Sequence, residues 1–195
     1  MQINELYELW KKMTDGNSEL SADLANLSED EIFDRFYREL DFGTAGLRGV
    51  LGAGTNRMNI YTVARASAGV AEYLLANGNK KRGCVAIAYD SRNNSELFAK
   101  TAAAVYAGRG LKVFLYPFLM PTPALSYAVR NLGCDAGVVV TASHNPAKYN
   151  GYKVYGSDGC QITEDAAAKI LAAIETTPYF ETIPDFDALL AKGDV

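Results

Sequence analysis

A change of hydrophobic period near Gly83 limits this chain to one class of fold. From there, short apolar runs, CVAIAY (84–89), VFLY (113–116) and AGVVVT (136–141), are separated by segments with helical spacing over Ser95–Gly108 and Pro123–Leu132. A strand that is apolar along its whole length must be covered on both faces. Helices between successive strands are the crossovers that provide the cover. The expected architecture is therefore α/β, a three-layer α/β/α sandwich on a mainly parallel mixed sheet of about four strands. The path from Thr141 to Tyr152 is too short for a helical crossover, so Tyr152–Tyr155 is expected as an antiparallel strand. A last helix is expected over Thr163–Glu175.

Upstream of Gly83 the chain reads as helical. Ile3, Leu6, Trp10 and Met13 recur at helical spacing. Ser28 with Glu31 is a capping-box pattern opening a stripe of Ile32, Phe33, Phe36, Tyr37 and Leu40. A further helix is expected from Ile60 to Asn77, with Val63, Ala66, Val70 and Leu74 inward and Asn77-Gly78 as its stop. Between them lies a glycine-dense loop, FGTAGLRGVLGAG (42–54). The organisation expected is a helical extension over 1–40, an α/β domain over 41–175, and a linker over 176–195 leading toward a second domain.

Composition narrows the function. With 195 residues, 49% of them hydrophobic, the chain can bury a core without staples. Cys84, Cys134 and Cys160 are odd in number and form no CxxC pair. A formal charge of −4 argues against nucleic-acid binding, which needs a basic face. No window approaches the apolar length of a membrane span, and the N-terminus lacks a signal peptide's apolar stretch, so a cytoplasmic location is expected. The single histidine, His144, excludes a multi-histidine metal centre.

In an open α/β sheet, ligands gather beyond the carboxyl ends of the strands. The loop after 136–141, TASHNPAKYNGYKVY (141–155), places there a hydroxyl (Ser143), the only imidazole (His144) and an amide (Asn145). Lys153 follows on the returning strand. Taken singly, a serine before Asn-Pro is most often a turn residue, and a strand lysine an edge guard. Their combination on one strand-end loop weighs more. GTAGLRG is GxxGxxG, not a dinucleotide fingerprint, and no GxxxxGK[ST] occurs. Its functional reading is a backbone able to approach an anion, with Arg48 offering a planar fork suited to phosphate. Asp90-Ser91-Arg92 reads as a helix cap with a loop salt bridge. Ser143 is not in G-x-S-x-G, so a serine hydrolase fits poorly, although a Ser–Lys pair stays geometrically open. A hydroxyl ringed by Arg48, Lys153 and His144 meets the needs of phosphoryl transfer.

With TASHNPAKYNGYK (141–153) and FGTAGLRG (42–49), the chain resembles the first domain of the α-D-phosphohexomutases, the phosphoglucomutase and phosphomannomutase family. The resemblance covers residues 40–175 and implies an enzyme that interconverts hexose 1-phosphate and hexose 6-phosphate through a phosphoserine and a sugar bisphosphate. It implies Ser143 as phosphoryl carrier, Lys153 as acid/base, Arg48 and His144 beside them, and Thr44 and Asn145 as phosphate or substrate contacts. It further implies Mg2+ held partly through the phosphate on Ser143, and partnership with the remaining domains of the enzyme. The family's DxDxDR metal loop is absent; Asp185-Phe186-Asp187 is a near miss. Glucose is the favoured sugar, with mannose, a pentose, or a non-catalytic phosphosugar-binding domain as alternatives.

Overall fold

The computed structural model describes residues 2–77 and 83–195. Three helices come first: α1 (Ile3–Met13), α2 (Ser18–Leu24) and α3 (Glu29–Phe36). They lead to β1 (Leu47–Val50), α4 (Ile60–Asn77) and β2 (Cys84–Tyr89). The alternation continues with α5 (Ser95–Gly108), β3 (Lys112–Leu115), α6 (Thr122–Asn131) and β4 (Ala136–Val140). The chain then returns as β5 (Tyr149–Gly156) and ends in α7 (Glu164–Thr176) and α8 (Phe186–Ala191). Gly78, half of the expected stop for α4, lies outside the described residues.

The sheet order is β1-β5-β4-β2-β3. β2 pairs in parallel with β3 and β4, so that Ile87 aligns with Leu115 on one side and Val138 on the other. β5 returns antiparallel to β4, with Tyr152 opposite Val140, as the short 141–152 path required. The α/β/α expectation holds, but the sheet has five strands. The fifth is β1, inside the segment read as a glycine loop. Its alternation is weak in sequence because glycine lowers strand propensity, and its pairing partner, β5, lies a hundred residues away.

Alternate residues of β2 enter different cores, as a doubly covered strand demands. Val85, Ile87 and Tyr89 join Val138, Val140, Tyr152 and Val154 beneath α4, α5 and α7. Ala86 and Ala88 join Val139 beneath Leu125 and Val129 of α6. From β2 the chain moves to one side through α5 and then back across through α6. Crossovers of one hand running in opposite directions place their helices on opposite faces. The carboxyl ends of β2 and β4 therefore form a topological switch point, where open α/β sheets bind ligands.

The helical extension has its own small core of Trp10, Leu20, Leu24, Phe36 and Ala53. Ser28 and Glu31 form the expected capping box. The 32–40 stripe is only partly realised: Phe36 is buried, whereas Phe33 and Tyr37 stack on each other at the surface. Met13 is likewise exposed.

Residues 176–195, expected as a linker, carry α8 and dock on the rest of the chain. Tyr179 and Phe180 pack edge-on against Trp10, and Arg65 of α4 donates to the Thr177 carbonyl. Asp185 caps α8 through the Ala188 amide, and the Val113 amide of β3 donates to the Asp194 carbonyl. The docking is long-range, so local periodicity could not reveal it.

Candidate active site

The serine loop begins where β4 runs out of cover. Ala136 to Ala142 are buried, and Ser143 and His144 are the first exposed residues after the strand. The Ser143 amide donates to Thr141 Oγ1 at 2.9 Å, and the Asn145 amide to the Ala142 carbonyl at 3.1 Å. These turns wind the chain tightly, and Ser143 adopts a left-handed backbone with φ +55°. Such a conformation in a non-glycine residue costs about 1–3 kcal/mol and gathers at functional sites. Ser143 Oγ lies 3.4 Å from His144 Nδ1.

The two cations come from neighbouring strands. Arg48 stands opposite Gly151 in the β1–β5 ladder, and Lys153 opposite Val139 in the β4–β5 ladder. With side chains alternating in period 2, Arg48, Gly151 and Lys153 share one face. Arg48 and Lys153 are diagonal neighbours, roughly 7–8 Å apart at the backbone. Arg48 is exposed and Lys153 half-buried. Thr141 donates its amide to the Gly151 carbonyl. Thr141, Gly151 and Arg48 thus form a row across three strands spanning about 10 Å, and Ser143 lies two residues beyond that row.

Thr44 sits at the tip of a turn closed by reciprocal backbone bonds between Gly43 and Gly46, 3.2 and 2.8 Å long. Gly46 has φ +74°, and a Cβ there would lie 1.9 Å from the Tyr152 carbonyl oxygen. Glycine thereby brings the turn against β5 beside Lys153. Of the expected site residues, Arg48 and Lys153 lie on adjoining strands with the Thr44 turn just ahead of β1, and Ser143 and His144 lie together in the loop. Asn145 is half-buried, and its carbonyl turns inward.

Arg92 is the residue whose place the sequence reading missed. Its Nη2 donates to the Ser143 and Asn145 carbonyls, both at 2.6 Å. Its Nη1 donates to those of Pro146 and Tyr149, both at 3.1 Å. Nε lies 3.6 Å from Asp90 Oδ2. Asp90 does not cap α5, whose N-cap is Asn94; its Oδ1 accepts from the Arg92 amide and from Ser95 Oγ. The signal available in sequence was position, at the carboxyl end of the strand beside β4.

A divalent cation does not fit these residues alone. Among the described residues no three His, Cys, Asp or Glu side chains gather as a metal cluster. Asp90 is taken up by Arg92 and Ser95, and Asp185 by its helix cap.

Residues 39–180 match the family described as "Phosphoglucomutase/phosphomannomutase, alpha/beta/alpha domain I". A "Probable phosphoribomutase" of Schizosaccharomyces pombe is 41% identical over 179 residues, which cover 89% of this chain and 30% of that protein. A phosphoglucomutase of Staphylococcus aureus is 47% identical over 134 residues, 69% of this chain and 24% of that protein. Among solved structures, a Thermus thermophilus protein assigned to the phosphomannomutases superposes with a TM-score of 0.68 at 34% identity, over 76% of this chain and 32% of its own. The chain thus spans about a quarter to a third of the length of these relatives. By this match and by its fold, the chain belongs to the phosphoglucomutase/phosphomannomutase family, as its α/β/α domain I.

Proposed function

We propose that this chain is the serine-bearing domain of a cytoplasmic phosphosugar mutase that interconverts hexose 1-phosphate and hexose 6-phosphate. The observation that carries the reading is the left-handed Ser143 at the switch point, with Arg48 and Lys153 on one face of the adjoining strands. In the first step a hydroxyl of the hexose monophosphate attacks the phosphorus on Ser143. The new O–P bond forms as the Ser143 Oγ–P bond breaks. Lys153, as the free amine, takes the hydroxyl's proton, and the His144 imidazolium gives one to the released serine oxygen. In the second step the reoriented bisphosphate returns its other phosphoryl group to Ser143 and the protons run back. Arg48 neutralises equatorial oxygens, with Thr44 and Asn145 near the phosphate. Neutralisation and positioning supply most of the catalysis in such transfers.

In this reading Mg2+ would supply further neutralisation, with its remaining ligands from outside these residues, and the residues 1–40, 41–175 and 176–195 act as helical extension, catalytic domain and docked lead toward partner domains. Glucose is the favoured sugar. A pentose phosphate is the second reading, favoured by the name of the relative that covers 89% of the chain.

The experiment is a fusion of residues 1–195 to the C-terminal remainder of the staphylococcal phosphoglucomutase. Glucose 1-phosphate and ribose 1-phosphate are compared by kcat/KM, and phosphate on Ser143 is read by peptide mass. A folded fusion with no transfer and no phosphate at Ser143 would sink the reading.

A further inference from the structure

The guanidinium of Arg92 spends its four Nη donors on one loop and turns Nε toward one carboxylate. Four go to the carbonyls of Ser143, Asn145, Pro146 and Tyr149, and Nε faces Asp90. Its side chain is only 14% exposed, so this charge lies behind the loop and does not compete for a ligand in front. The anchor extends further. Asp90 Oδ1 accepts from Ser95 Oγ at 2.8 Å, and Asn150 Nδ2 donates to Ser95 Oγ at 3.0 Å. Asn150 Oδ1 accepts from the Gly151 amide at 2.8 Å. One network thus ties the end of β2 to both ends of the loop between β4 and β5.

We propose that Arg92 is a positioning residue for phosphoryl transfer: it gathers the carbonyls of the serine loop on the side away from the phosphate and so holds Ser143 in its left-handed conformation. Ser143 turns its carbonyl back to Arg92, and the bond there offsets the cost of the strained backbone. Drawing four carbonyl dipoles toward Arg92 keeps them from facing a phosphoryl dianion on Ser143. The largely covered guanidinium adds a fixed positive charge to that of Arg48. Only a planar fork reaches four acceptors at once; a lysine ammonium has three donors radiating from one nitrogen.

The inference rests on Ser143 being the phosphoryl carrier, and its test separates the two ideas. The first arm needs no turnover. In this 195-residue chain, the Ser143 carbon chemical shifts and the amide exchange of residues 143–149 are measured by NMR for wild type, Arg92→Lys and Arg92→Met. Asp90→Asn is added as the milder variant, which keeps the guanidinium and removes only its anchor. Expected is a left-handed shift pattern at Ser143 that is lost in both Arg92 variants, with loop exchange accelerated at least tenfold and the melting temperature within a few degrees of wild type. Asp90→Asn should give the same change in weaker form, and added guanidinium ion should partly restore the Arg92→Met loop. The second arm uses the fusion enzyme, where Arg92→Lys should lower kcat about 100-fold, the scale of an ångström's misplacement, with KM within threefold.

Unchanged Ser143 shifts and loop exchange in the Arg92 variants, or a loop that loosens only as the whole chain melts, would overturn the clamp. A loosened loop with unchanged kcat in an active fusion would overturn its link to transfer. An inactive wild-type fusion would count against the mutase reading, and the first arm would still decide the clamp.

Discussion

Arg48 faces Gly151 across the β1–β5 ladder, and the absent side chain at 151 is what brings three strands together at the serine loop. A Cβ on Gly151 would lie 2.6 Å from the Thr141 carbonyl oxygen and 3.0 Å from that of Leu47. Both are backbone atoms of paired strands and cannot rotate aside. Gly151→Ala should therefore lower stability by about 1–3 kcal/mol, the usual range for overpacking, and shift β1 with Arg48 outward. Denaturant unfolding of the two chains measures the first effect. Weaker phosphate protection of Arg48 in the variant, read by guanidinium NMR, measures the second.

Gly46 and Gly43 close the same turn but should respond oppositely. At Gly46 the positive φ and the 1.9 Å approach to the Tyr152 carbonyl leave no room for a methyl group, whereas nothing lies within 4 Å of a Cβ at Gly43. Gly46→Ala is expected to fold poorly or melt many degrees lower, while Gly43→Ala should stay within about 0.5 kcal/mol of the parent, like surface substitutions elsewhere. Equal melting curves for the two variants would refute this account of the turn.

Beneath the site three hydroxyls meet in the core. Ser67 Oγ donates to the Tyr152 hydroxyl at 2.9 Å, and the Tyr106 and Tyr152 hydroxyls are 2.5 Å apart. Tyr152→Phe would remove the hydroxyl that partners both Ser67 and Tyr106, at a cost of about 1–3 kcal/mol. Burial pushes both phenols well above their ordinary value. A raised folded-state pKa gives stability that is complete below the unfolded value near pH 10 and is lost as pH rises above it. Alkaline unfolding monitored together with phenolate absorbance should therefore be cooperative, and less steep in Tyr152→Phe.

Asp23 links the helical extension to the loop after β1. It accepts from Arg35 at 2.5 and 3.1 Å and from the Ala53 amide at 2.7 Å. Burial raises its pKa, but the Arg35 and Ala53 bonds and the nearby positive charges outweigh that, and the net shift is downward from 3.8. The depressed pKa means stability present above about pH 4 and lost as pH falls through the folded value. Asp23→Asn should melt lower at pH 7 and show a smaller further loss between pH 4 and pH 2 than the parent. An unchanged acid slope would assign that slope to other carboxylates.

How much of this could be read from sequence follows the range of each interaction. β2, β4 and the helices between them are set by local apolar period, so Cys84–Tyr89 and the Ser95–Gly108 helix were legible. Ser143, His144 and Lys153 were legible because a strand-end loop places them within eleven residues of one another. β1 was not, because Leu47 and Val50 become a strand only by pairing with Tyr152 and Tyr149. The clamp by Arg92 and the docking of Tyr179 on Trp10 were hidden for the same reason: each joins segments far apart in sequence. An arginine with four carbonyl partners looks in sequence like any loop arginine.

On the proposed function the described residues hold a phosphoryl carrier without everything the transfer needs, and this sets the behaviour expected of residues 1–195 by themselves. Ser143, Arg48 and Lys153 can attend one phosphoryl group. A hexose bisphosphate brings a second phosphate about a sugar's width away, and Arg92, the other arginine at the loop, is already engaged by its carbonyls and Asp90. Neither is there a carboxylate cluster among the described residues to share a divalent cation with the phosphate. Transfer depends on neutralising the phosphoryl oxygens, so the isolated chain should show no conversion of glucose 1-phosphate to glucose 6-phosphate with Mg2+ and sugar bisphosphate supplied. The C-terminal remainder of a relative should restore it, in fusion, and Ser143→Ala should abolish the restored activity. Turnover by residues 1–195 unaided, itself lost in Ser143→Ala, would mean that these residues suffice and that the second phosphate and the metal are held by groups other than those identified.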